Sequence, residues 1–122
     1  MMAWKIKITA EAQQDYFKLD GGIKPQVLAG IVKVAGAPLP SPNGFGKPLG
    51  NRNGENLTGF FKIKYRQIGI RVVYTLVPAD MVMNIVVISV RDDECCYALA
   101  ADFHRKYGTD VFKDIFEQFR PK

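Results

Sequence analysis

The sequence predicts a single α+β domain in which an N-terminal strand and a helical hairpin pack on a mainly antiparallel four-stranded sheet, in the order β-α-α-β-β-β-α-α. Three observations lead there. Two stretches of helical periodicity separated by Gly21-Gly22 precede residue 36, three strand-like runs with very short connections lie between residues 57 and 90, and two further amphipathic stretches close the chain. At 122 residues and 48% hydrophobic content, the chain holds enough apolar surface for one core and too little length to divide comfortably into two.

Each element has its own signal. Trp4 to Ile8 alternates apolar and basic residues, the pattern of a strand with one face on the core. Thr9 is a candidate cap for a helix running to about Leu19, with Ala12, Tyr16 and Leu19 on one side. Pro25 suits the first turn of a second helix whose Val27, Leu28, Ile31 and Ala35 recur at helical spacing before Gly36 and Pro38 stop it. Residues 36–56 then read as a long connection, because nine of those positions are Gly or Pro. Such a loop either reaches toward a ligand through Lys47 and Arg52 or serves as a flexible spacer.

The strand-like runs are Leu57 to Arg66, Gly69 to Val77 and Met81 to Val90, and the brevity of the connections between them implies an antiparallel meander. Asp92-Asp93-Glu94 places acids where a helix begins, with Cys96, Leu99, Ala100 and Phe103 as its apolar face and Gly108 as its end. Val111, Phe112, Ile115, Phe116 and Phe119 mark a last amphipathic helix capped by Thr109 or Asp110. Residues 1–106 are thus read as the body of the domain and 107–122 as an additional C-terminal helix of the same domain. Its apolar stripe covers the chain's own surface, makes a homodimer, or receives a partner protein.

No apolar run of signal-peptide type opens the chain, and the longest apolar stretch, around Ile85 to Val90, is far short of a membrane span. Cys95 and Cys96 are sequence neighbours, a poor geometry for a disulfide and too few for the usual zinc sites. A cytoplasmic protein with no metal and no cofactor is expected, and the two thiols read as inert packing.

The net charge of +5 is local. Between Lys47 and Ala79 stand Lys47, Arg52, Lys62, Lys64, Arg66 and Arg71 against one acid, Glu55, while the remaining residues balance 11 bases with 11 acids. A field of one sign on one segment points to a polyanionic ligand or to a solvated basic strand face. The strand period of two sends Lys62, Lys64 and Arg66 to one face and Phe61, Ile63 and Tyr65 to the other, and a short hairpin brings Arg71 near the same region.

The run Asn56-Leu57-Thr58-Gly59-Phe60-Phe61-Lys62-Ile63-Lys64-Tyr65-Arg66, followed by Gly69-Ile70-Arg71-Val72-Val73-Tyr74, then Val87-Ile88-Ser89-Val90 and a helix opening with Tyr97, resembles the sheet of the RelE/ParE family of toxins, and the similarity extends from about Ala3 to Lys106. The resemblance implies a RelE-like fold and the toxin of a type II toxin–antitoxin system. It also implies a ribosome-dependent endoribonuclease that cuts messenger RNA without a metal, and a cognate antitoxin as partner. Carried over by motif, Lys62 and Lys64 supply the base and phosphate contacts, Arg71 stabilises the developing charge, and Tyr97 stacks on or orients the substrate base. Arg66 is a further phosphate contact, and Lys47 and Arg52 complete the RNA-binding set. A lysine acts as base here only if neighbouring cations lower its pKa, which the clustering favours.

The resemblance also implies a second catalytic arginine in a basic loop after the last strand; Arg91 is the nearest candidate, and it is followed at once by Asp92, Asp93 and Glu94. His104, the one histidine, reads as a surface helix residue rather than a general acid. Two alternatives stay open on the same scaffold. One is a ParE-like, non-nucleolytic inhibitor of DNA gyrase, and the other is a degenerate domain that binds only RNA or an antitoxin.

Overall fold

The computed structural model describes residues 3–52, 55–90 and 93–121, with the side chains of residues 51, 52, 55, 93 and 94 outside the description. Its elements are β1 (Lys5–Ile8), α1 (Ala10–Phe17), α2 (Lys24–Ala35), β2 (Lys47–Arg52), β3 (Glu55–Tyr65), β4 (Ile70–Val77), β5 (Val82–Ser89), α3 (Asp93–Tyr107) and β6 (Glu117–Gln118). The strands form one mixed sheet in the order β2-β3-β4-β5-β1-β6, antiparallel throughout except where β1 runs parallel to β5.

The sheet separates two apolar layers. On one side α1 and α2 cover Ile8, Phe61, Val72, Tyr74, Met83 and Ile85 through their own Tyr16, Val27, Ile31 and Val34. On the other side α3 contributes Cys96, Tyr97, Ala100 and Ala101 to a second cluster with Leu57, Phe60, Val73 and Val87. Thr9 caps α1 as its sequence implies, its hydroxyl accepting from the Ala12 N–H at 3.1 Å. Gly108, at φ +59, ends α3 in the left-handed conformation that glycine adopts most cheaply.

The strand alternation along β5 is interrupted. Val73 faces Val87 while the next residue, Tyr74, faces Ile85, so Val86 is the extra residue of a bulge. Met83 and Ile85 therefore point to the α1/α2 layer while Val87 points to the α3 layer and Ile88 back again.

Several expectations are corrected. Residues 36–56 are not one irregular connection, because Lys47–Arg52 pairs with β3 as the edge strand, with a register shift between Pro48 and Gly50. Nor is the remainder a spacer. The Phe45 N–H donates to the Ala37 carbonyl at 2.8 Å, the Gly46 N–H to Leu39 at 2.9 Å, and the buried Tyr74 hydroxyl to Pro38 at 2.9 Å. A Cβ on Gly44 would lie 2.3 Å from the Ala37 oxygen, so this fold of the loop requires glycine there. Leu99, expected on the buried face of α3, is 37% exposed, and Tyr97 and Ala101 are buried in its stead.

The larger correction concerns residues 107–122. Among the described residues after Tyr107 no α-helix forms; a 3-10 helix over Gly108–Phe112 is followed by β6, which pairs antiparallel with β1. The carbonyls a helix would use are taken by buried side chains. Asn84 Nδ2 donates to the carbonyls of Val111 at 3.1 Å and Lys113 at 2.9 Å, and the Thr75 hydroxyl also donates to Val111. Val111 enters the α3 layer, whereas Phe119 crosses to the other layer and meets Tyr16 edge-on, their ring centroids 5.0 Å apart. Val111 and Phe119 of the expected stripe cover the chain's own surface while Ile115 stays 56% exposed, and the helix that was to present the stripe is not formed.

Candidate functional site

Cross-strand register decides which basic residues meet. Arg71 lies directly opposite Lys64 on β3 and directly opposite Ser89 on β5, so Lys64, Arg71 and Ser89 form one row across three strands. Residues so paired share a face, with Cβ atoms about 5 Å apart. The neighbouring row is Lys47, Lys62, Val73 and Val87. Two residues along β3 separate the rows, roughly 7 Å. Val73 and Val87 belong to the cluster packed under α3, so both rows face that helix.

Tyr97, one turn into α3, meets the first of these lysines. The Lys62 ammonium donates to the Tyr97 hydroxyl at 2.8 Å and lies 5.1 Å from the centre of its ring. Tyr97 is only 8% exposed, so its ring is a wall of the α3 layer rather than an open stacking platform. Farther along the same helix His104 meets the Phe60 ring edge-on, with centroids 5.6 Å apart. Thus α3 runs beside β3, with Tyr97 over Lys62 and His104 over Phe60. Arg71 is half-buried and donates to the carbonyl of Ile70 at 3.0 Å.

The structure therefore gathers Lys47, Lys62, Lys64, Arg71 and Tyr97. Arg66 is placed differently. It lies in the four-residue turn Arg66–Gly69 that joins β3 to β4, exposed, because pairing ends at Tyr65 and Ile70 and Gly69 closes the turn at φ +68. Arg52 stands at the far end of β2, opposite Glu55, roughly 16 Å along the strand from Lys47. Arg91 lies outside the described residues.

Ser89 is the member that sequence reasoning missed. Simple alternation from Met83 and Ile85 would aim it into the α1/α2 layer; the bulge at Val86 turns it to the α3 face and into register with Arg71, where it is 5% exposed. The only signal in the sequence is a hydroxyl in an otherwise apolar run. Chemically, the site offers three amines, a guanidinium, a phenol and an alcohol on one face beneath one helix. That set suits a phosphodiester, with N–H donors for its oxygens and an amine within reach of an adjacent hydroxyl.

No protein-family model and no curated protein matches the chain. Solved structures do match. The isolated E. coli RelE toxin is 21% identical, aligns over 83% of this chain and 98% of its own, and superposes with a TM-score of 0.60. A doubly substituted E. coli RelE in the free state gives 0.63 at 21% identity, over 84% and 98% of the two chains. The archaeal RelE–RelB complex from Pyrococcus horikoshii OT3 gives 0.54 at 17% identity, over 75% and 99%. At these identities the likeness is one of architecture, and it spans nearly the whole of each RelE chain: the protein has the fold of the RelE toxins.

Proposed function

We propose that the protein is the toxin of a toxin–antitoxin pair and cleaves messenger RNA on the ribosome by attack of a ribose 2′-hydroxyl on the adjacent phosphate. The observation that carries this reading is the Lys64–Arg71–Ser89 row beside the Lys62–Tyr97 pair. The fold supports it, and solved relatives in that fold include the intact E. coli RelBE toxin–antitoxin complex. An antitoxin is accordingly the proposed protein partner, and the cytoplasm the proposed compartment; among the described residues no helix is long and apolar enough to cross a membrane.

In this mechanism Lys62 acts as the neutral amine, which still donates an N–H to the Tyr97 hydroxyl that holds it in place, and its Nζ lone pair takes the 2′-hydroxyl proton to give the ammonium. The 2′-oxygen then attacks phosphorus. Arg71 and Lys64, opposite each other across two strands, donate N–H bonds to the phosphoryl oxygens as negative charge builds on them. Lys64 returns a proton to the 5′-oxygen as the P–O5′ bond breaks. The products are a 2′,3′-cyclic phosphate and a free 5′-hydroxyl, with one proton taken up and one released. Ser89 lies opposite Arg71 in the same row, and Lys47 extends the phosphate contacts toward the sheet edge.

The test is expression of the protein in a translating extract with mapping of the message. Cleavage within codons is expected from the unaltered chain, together with its loss in Arg71→Ala while the circular dichroism spectrum is kept. Intact message at doses that stop translation would overturn the reading.

A further inference from the structure

Pairing between β2 and β3 stops at Lys47 and Lys62, so the last residues of β3 carry no strand on that side. In the space so left, between β3, α2 and the loop that precedes β2, lies a groove of about 280 Å³. Lys33, Phe45, Lys47, Lys62, Lys64 and Tyr65 contribute to its walls, and none of its described lining residues is acidic. We propose that this groove receives the RNA strand where it leaves the Lys62–Arg71 site, seating one base on Phe45 and the flanking phosphates on Lys33 and Lys47. The proposal rests on the RNA-cleaving reading of that site and extends it to a neighbouring nucleotide.

Three observations favour this occupant. Phe45 is a large aromatic left 50% exposed, yet its backbone is tied to Ala37 at 2.8 Å, so the ring is presented on a folded loop. Lys33 sits 5.1 Å from the centre of the ring, which puts a cation beside an aromatic face, the pairing that single-stranded nucleic acids use. Lys62 and Lys64 line the groove and also belong to the two cross-strand rows, so one strand of RNA passes from the reacting phosphate over the edge of β3 without leaving positive charge.

Binding of a fluorescein-labelled 2′-O-methyl RNA hexamer, which lacks the attacking hydroxyl, tests this by anisotropy across a salt series. Phe45→Ala is expected to weaken binding about tenfold, Phe45→Trp to retain it, and Lys33→Ala to weaken it with a salt slope lower by about one. Phe45→Ala and Lys33→Ala that bind as the unaltered protein does, while Arg71→Ala binds worse, would overturn the groove and leave the cleavage site standing; a seat for an acidic protein segment would give that outcome. Loss in Phe45→Ala with none in Arg71→Ala would support the groove and count against the reading of the site. No binding by the unaltered protein would overturn the groove, while the cleavage reading would still be decided by the mapping in the translating extract.

Discussion

Replacing Tyr97 by Phe removes one oxygen and leaves the ring, so it isolates the contact between Tyr97 and Lys62. The Lys62 Nζ donates to that oxygen at 2.8 Å from a half-buried position. A hydrogen bond to a charged group contributes about 1.5–3 kcal/mol, and the remaining solvent access of Lys62 reduces this to about 1–2 kcal/mol. If the hydroxyl serves to position the amine, that free energy appears in the transition state and slows cleavage about five- to thirtyfold. Fold and message binding should be retained, because the ring still fills the α3 layer. The assay is a single-turnover cleavage rate in a translating extract, run as a cycle with Lys62→Ala. Tyr97→Phe should add almost nothing once Lys62 is gone, since both changes strike one contact. Equal losses in the presence and absence of Lys62 would refute the positioning role, and so would an unchanged rate in Tyr97→Phe.

Other consequences concern the scaffold. Asn84→Ala removes the donor that binds the Val111 and Lys113 carbonyls, so the C-terminal segment should loosen at a cost of about 2–3 kcal/mol; calorimetry should show Tm lower by about 10 °C. Gly30→Ala runs against helix propensity. It gains about 1 kcal/mol as alanine in a helix, yet its Cβ would lie 2.4 Å from the Tyr65 hydroxyl, which donates to the Val27 carbonyl at 2.7 Å, and a net loss of stability is expected in urea unfolding. Glu11 accepts from Lys106 at 2.5 Å, and that bond holds its carboxyl below the ordinary 4.5 while raising the Lys106 ammonium above 10.5. The pair's contribution is therefore full between those two values, fades as pH falls through the depressed Glu11 pKa, and fades again above the raised Lys106 pKa. Glu11→Gln should be less stable than the unaltered chain at pH 7 and indistinguishable from it at pH 2.

Much of this was legible in residues. Thr9, Pro25 and Gly108 punctuate the helices because their side chains or their absence fix local backbone geometry, and the period of two in Phe61 to Tyr65 places Lys62 and Lys64 correctly without any tertiary knowledge. What failed was set at long range. Lys47–Arg52 reads as loop from its Pro and Gly and becomes a strand because β3 offers an open edge. The stripe from Val111 to Phe119 reads as a helix and is unwound because Asn84 and Thr75, some 30 residues away, claim its carbonyls. Ser89 was hidden for the same reason, since a bulge is a property of two strands rather than one. Arg66 was displaced by a turn whose length the sequence does not announce.

The amines and guanidinium on the β3–β4 face are proposed to cut RNA through its own 2′-hydroxyl. The most direct measurement is the chemistry of the new ends in a translated message, compared for the unaltered protein, Lys62→Ala and Arg71→Ala, beside a gyrase supercoiling assay. Expected are 2′,3′-cyclic phosphate and 5′-hydroxyl ends from the unaltered protein, their loss in Arg71→Ala, a sharply reduced but still measurable yield in Lys62→Ala, and unimpaired supercoiling. Ends bearing a 3′-hydroxyl and 5′-phosphate, or growth arrest with uncut message and inhibited gyrase, would contradict it.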